Sequence, residues 1–72
     1  MPTFSERLKE IRKTKKLTQK QIAIGTDMAE RQYQFYEYGK REPTISTFKK
    51  FCTFLDVSAD YLLGLSDDPT RH

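Results

Sequence analysis

The sequence predicts an all-α domain of five short helices, and three observations carry that prediction. Apolar residues recur at helical spacing, cap-forming residues stand ahead of the apolar stripes, and no alternating pattern suited to a strand appears. At 72 residues the chain is one domain, and a core this small needs most of its apolar side chains. Hydrophobic residues at 36% against charged residues at 32% suit a compact fold rather than a disordered chain.

The first helix is expected from Phe4 to Lys15, with Phe4, Leu8 and Ile11 inward and Arg7, Arg12 and their charged neighbours on the other faces. Thr3 or Ser5 caps its start. Thr18 opens a second, short helix, and Gln21 three residues later completes a capping box. Ile22, Ala23 and Thr26 face inward there, and Gly25 predicts an early end. Asp27 is the turn residue, because aspartate tolerates the left-handed conformation. A third helix runs from Glu30 to about Tyr38, with Tyr33 and Tyr36 inward, and Gly39 closes it.

After the loop Lys40 to Pro43, Thr44 or Ser46 opens a fourth helix with the stripe Ile45, Phe48, Phe51, Cys52 and Leu55. Asp56 and Val57 form a tight joint, Ser58 caps again, and Ala59 to Leu63 makes a last helix ended by Gly64. The expected core is Leu8, Ile11, Leu17, Ile22, Ala23, Tyr33, Tyr36, Ile45, Phe48, Phe51, Leu55, Val57, Tyr61 and Leu62. Residues 1–66 form the folded unit, and residues 67–72 a polar tail expected to fray.

Several functions are disfavoured by composition. A single cysteine, Cys52, allows no internal disulfide and no metal-ligand pair; on the apolar stripe it reads as packing. Its solitary state points to a reducing, cytoplasmic setting, and neither a membrane span nor a signal peptide is evident. No enzyme is expected, since the one histidine, His72, ends the chain and no Gly-rich phosphate loop occurs. No cofactor or metal is expected either.

Charge is unevenly spread. Residues 1–50 hold 12 Lys and Arg against 6 Asp and Glu, whereas residues 51–72 hold 1 against 4, so the net +3 divides into +6 and −3. A basic front suits a polyanionic partner, although Lys-rich helices also serve as ordinary solvated surface. The more specific signal is the pair formed by the second and third helices. Two helices joined by so brief a turn leave the second projecting, and the major groove of DNA accepts one projecting helix.

The run LTQKQIAIGTDMAERQYQFYEYGKREP, from Leu17 to Pro43, resembles the lambda-repressor-like (Cro/cI, XRE-type) helix-turn-helix family. The opening RLKEIRKTKKLTQ and the closing FLDVSADYLLGLSDDP resemble it too, so the likeness covers nearly the whole chain. It implies a compact five-helix domain that binds double-stranded DNA, usually as a homodimeric repressor on a roughly palindromic operator. That function implies a bacterial or phage-encoded protein at the nucleoid. Three positions depart from the family pattern: Thr26 replaces a large aliphatic, Asp27 a glycine, and Ala29 a capping Ser or Thr.

Carried onto this chain, the resemblance assigns base reading to Glu30, Arg31, Gln34 and Phe35. Arg31 suits guanine O6 and N7, and Gln34 suits adenine. Phe35 packs either on thymine methyls or beside Tyr38 or at a dimer contact. Glu30 either accepts a hydrogen bond from cytosine N4 or only steadies the positive end of its helix. Phosphate contacts fall to Thr18 and Gln19 through free backbone N–H groups, to Lys40 and Arg41, to the Tyr38 hydroxyl, and at the groove rim to Gln32. Lys13, Lys15, Lys16 and Lys20 add long-range attraction. Glu37 matches the family's acidic residue near the end of the third helix, a structural group that can bond loop backbone. The alternative is an antitoxin-type interaction module that neutralises a protein partner, with Ile24, Leu63 and Leu65 as apolar contacts; these equally suit a homodimer.

Overall fold

The computed structural model describes residues 2–71, so His72 lies outside the described part. Its helices are α1 (Phe4–Thr14), α2 (Gln19–Gly25), α3 (Glu30–Glu37), α4 (Ile45–Leu55) and α5 (Ala59–Leu62). Five helices in the expected order are present. Thr3 and Thr18 each form a complete capping box, with Glu6 and Gln21 respectively returning a side chain to the cap backbone. Thr44 and Ser58 cap α4 and α5 through their hydroxyls, whereas Ala29 offers α3 no side-chain bond.

The helices also end alike. After α1, α2, α3 and α5 the chain enters the left-handed region at Lys16, Asp27, Gly39 and Gly64, with φ of 58°, 57°, 75° and 81°. In each case the next N–H reaches back to the third-last helical carbonyl: Leu17 to Arg12, Met28 to Ala23, Lys40 to Phe35, and Leu65 to Asp60. These Schellman closures satisfy carbonyls that a helix end otherwise leaves unpaired. Asp56 turns the same way after α4, at φ 52°. Asp27 behaves as expected; Lys16 and Asp56 adopt the conformation without a glycine's freedom, at some steric cost.

Phe51 on α4 is fully buried and sits at the centre of the core. Its ring meets Phe4 of α1 at 5.9 Å and Tyr33 and Tyr36 of α3 at 5.9 and 5.6 Å, the tyrosines edge-on. Leu8, Ile22, Leu55, Val57 and Leu62 close around it. Leu17, Phe48 and Cys52 pack against the core while only half-buried, and burial pushes the Cys52 thiol up from its ordinary value. Thr26 is buried, its hydroxyl donating to the Ile22 carbonyl at 2.7 Å, so the polar replacement leaves no unmet donor.

Two expectations about burial fail. Ile45 is 77% exposed rather than in the core. It is the first residue of α4 and overhangs a groove lined by Phe4, Pro43, Phe48 and Leu63. Arg7, expected on an outer face, is buried: its guanidinium lies 4.3 Å from the Tyr61 ring centroid and pairs with Asp67. The polar tail is therefore tied back rather than frayed. The Pro69 carbonyl also accepts the Ser58 N–H at 3.0 Å, and Arg71 meets Asp56 at 3.5 Å.

The most consequential contact is between α1 and α3. The Glu37 side chain is 1% exposed and accepts Arg12 Nε at 2.6 Å, the Tyr33 hydroxyl at 2.8 Å and the Gln19 amide. Arg12 also donates to the Leu17 carbonyl at 2.9 Å, holding the α1–α2 joint. Glu37 thus bonds side chains of α1 and α2, not loop backbone. Burial alone raises its pKa, but the hydrogen bonds from Arg12, Gln19 and Tyr33 outweigh burial and hold the carboxyl below its ordinary value. The same burial and the adjacent carboxylate drive the Tyr33 phenol strongly upward.

Glu37→Gln is expected to cost about 3 kcal/mol, because it strands a desolvated guanidinium. The wild-type carboxyl titrates lower when folded than when unfolded, so its contribution is complete above the ordinary carboxylate range. It drains away as pH falls through the folded value. Thermal melts between pH 7 and pH 3 should show wild type losing more stability on acidification than Glu37→Gln. At helix ends, Ala29→Ser should stabilise by about 1 kcal/mol by capping α3. Gly64→Ala should destabilise by roughly 2 kcal/mol, since its φ is left-handed and a Cβ would meet the Pro2 carbonyl at 2.5 Å. Denaturant titration checks both.

Candidate nucleic-acid interface

Helix α3 divides cleanly into two faces. Tyr33, Tyr36 and Glu37 point into the core, which leaves Arg31 and Phe35 on the opposite side and Gln34 at the flank, while Glu30, seven residues before Glu37, stands exposed at the helix start. Glu30 and Arg31 are exposed in the first turn, and Gln34 and Phe35 are half-buried one turn on. Three of the four expected base readers, Arg31, Gln34 and Phe35, therefore fall within one arc of the helix surface, and Glu30 does not. Gln32, half-buried, stands at the edge of that arc by helical periodicity. Glu30 sits where the uncapped N–H groups of α3 carry partial positive charge, a favourable place for a carboxylate.

The Phe35 ring is approached by two guanidiniums, Arg31 at 5.9 Å and Arg41 at 5.4 Å from its centroid. These cation contacts of Phe35 are additional to the packings expected for it. They hold two flexible cations against one ring, each cation–π contact worth about 0.5–1 kcal/mol at an exposed site. The loop beyond α3 is equally well defined. Gly39 donates to the Tyr36 carbonyl at 3.3 Å, and the Lys40 and Arg41 N–H groups both reach the Phe35 carbonyl, at 2.9 and 3.2 Å. Lys40 and Arg41 are both exposed, and their backbone is bonded to the end of the helix.

At the start of α2 the expected capping box uses the backbone donor of Thr18. The Thr18 N–H is taken by the Gln21 side chain at 2.8 Å, and its hydroxyl accepts the Gln21 N–H at 3.0 Å. Thr18 therefore has no free backbone donor for an anion. Gln19 turns its side chain inward: its amide donates to Glu37 and, at 3.1 Å, to the Tyr38 hydroxyl. Its oxygen accepts Gln34 Nε2 at 3.1 Å. Gln19, Gln34, Glu37 and Tyr38 form one connected network, which sequence reasoning did not foresee. The available signal was a polar residue at the first position of α2 opposite an acidic residue on the inner side of α3.

The geometry can be set beside that of known proteins. The helix-turn-helix family model matches residues 8–62. The chain is 48% identical over 60 residues to the uncharacterized HTH-type transcriptional regulator YqaE of Bacillus subtilis (strain 168), covering 83% of this chain and 52% of that protein. It is 38% identical over 66 residues to the uncharacterized HTH-type transcriptional regulator YobD of the same organism, covering 92% and 59%. The chain thus spans little more than half the length of these two relatives. Among solved structures, the restriction-modification controller protein C.AhdI from Aeromonas hydrophila superposes with a TM-score of 0.79 at 28% identity, covering 83% of this chain and 91% of that one. With its helix order, its Schellman-closed turn and its family match in agreement, the chain belongs to the lambda-repressor-like, XRE-type branch of the helix-turn-helix family.

Proposed function

We propose that this domain is a sequence-specific DNA-binding transcriptional regulator that acts as a repressor on a roughly palindromic operator. The observation that carries the reading is the outward face of α3, where Arg31, Gln34 and Phe35 stand together beside the anchored cations Lys40 and Arg41. In this reading α3 lies in the major groove. Arg31 pairs with guanine, Gln34 faces a second base, and the Phe35 ring offers its free edge to a thymine methyl. Glu30 is an ambivalent reader: it can accept from cytosine, but it also repels phosphate.

Lys40 and Arg41 clamp the next stretch of backbone, with the Tyr38 hydroxyl beside them and Gln32 at the rim. The Thr18 N–H is spent on Gln21, so in this reading the phosphate contact at the start of α2 falls to the backbone N–H of Gln19, whose side chain is engaged within the protein. A homodimer suits the proposed operator, since two-fold protein symmetry on DNA sets reading helices about 34 Å apart. Exposed Ile45, Leu63 and Leu65 supply apolar surface for a second copy. The cytoplasm of a bacterial cell is the setting this function implies.

Selection of bound duplexes from a random pool should return a two-fold symmetric motif. Arg31→Ala should relax preference at one base pair per half-site. Lys40→Ala should weaken binding to every sequence alike and flatten the salt dependence by about one ion. Equal losses on selected and random DNA for both variants would contradict the division into base readers and phosphate clamps.

A further inference from the structure

We infer that Phe35 is a positioning residue that braces Arg31 against Arg41, so that Arg41, a phosphate clamp, also sharpens base preference at the Arg31 position. This role rests on the reading above, in which Arg31 meets guanine. Arg41 is the fixed end of the brace. Its N–H and that of Lys40 both bond to the Phe35 carbonyl, at 3.2 and 2.9 Å, just beyond the left-handed Gly39. The Arg41 guanidinium then returns to the Phe35 ring, 5.4 Å from its centroid. Backbone and side chain of Arg41 are thus both held by one residue of α3. Lys40 shares the backbone bond but, among the described residues, makes no ring contact.

Arg31 is the free end. It is exposed in the first turn of α3, where Ala29 provides no side-chain cap. Phe35 lies one turn on, and the Arg31 guanidinium reaches its ring at 5.9 Å. Among the described residues neither arginine has a carboxylate partner. A carboxylate would occupy guanidinium donors and cancel their charge. A ring attracts the cation and leaves its in-plane N–H groups for guanine or phosphate. An unheld Arg31 loses rotamer freedom when it binds, and that cost falls on the correct base contact. Repulsion between the two cations opposes the brace. It weakens once Arg41 meets a phosphate, so the brace is tightest on DNA.

The experiment compares a selected duplex with one altered only at the base pair whose preference Arg31→Ala abolishes, at one salt concentration. Wild type, Arg31→Ala, Arg41→Ala, Lys40→Ala and Phe35→Leu are each titrated against both; leucine keeps apolar bulk for a thymine methyl and removes the ring. The ratio of two affinities for one protein does not depend on the fraction folded. Phe35→Leu and Arg41→Ala should each reduce that ratio roughly two- to fivefold, the size of an exposed cation–π contact. Lys40→Ala removes the same charge and should weaken both duplexes alike, with the ratio unchanged. An Arg41→Ala protein that keeps the wild-type ratio overturns the proposal, as does a Lys40→Ala protein that loses it equally. An Arg31→Ala protein that alters no base preference instead overturns the assignment of Arg31 as a reader, a distinguishable result. A second measurement avoids DNA altogether. In free folded protein, the Arg31 Nε–H resonance should move on Phe35→Leu and on Arg41→Ala but not on Lys40→Ala; a resonance unmoved by Arg41→Ala also overturns the brace.

Discussion

Glu37 lies where α1, α2 and α3 meet, and its carboxylate is almost completely buried. Burying a carboxylate costs several kcal/mol unless it is paired and its remaining lone pairs are met. Here Arg12, Tyr33 and Gln19 meet them, one from each of the three helices. The arrangement does more than offset desolvation. Arg12 is anchored at the same time to the Leu17 carbonyl, so one guanidinium ties the α1–α2 joint to the far end of α3. The reading helix is thereby set against the body by directional bonds as well as by Phe51 packing. Apolar contact alone tolerates small rotations; a bonded carboxylate does not.

The turn between α2 and α3 shows how far such anchoring compensates for local departures. It has neither a glycine at its left-handed position nor a capping side chain before α3. Each shortfall costs on the order of 1 kcal/mol. Yet the Met28 N–H still closes on Ala23, and Thr26 satisfies its own hydroxyl on Ile22. The entry to α3 is locally weak, and the bonds that hold the helix in place are concentrated toward its other end, at Glu37 and the Gly39 closure.

Much of this architecture was legible in the sequence where local chemistry decides. The capping boxes at Thr3 and Thr18, the inward pair Tyr33 and Tyr36, and the left-handed Asp27 each follow from residue type and spacing over a few positions. What was not legible depends on partners distant in the chain. Arg7 reads as a surface cation until Tyr61 and Asp67, more than fifty residues away, fold over it. Ile45 belongs to an apolar stripe, but α4 begins before the core does. The grouping of Arg31, Gln34 and Phe35 on one face was accessible from helical periodicity. The inward turn of Gln19 was not, because it is dictated by a carboxylate on another helix.

The central claim is that α3, held by Glu37, presents one face to DNA while the rest of the domain supports it. Titrating isotopically labelled protein with a selected operator duplex, and following backbone and side-chain amide resonances, tests this most directly. The account predicts the largest shifts at Arg31, Gln34 and Phe35, with a second group at Tyr38, Lys40 and Arg41. Shifts centred on Ile45, Leu63 and Leu65, with α3 unperturbed, would contradict it.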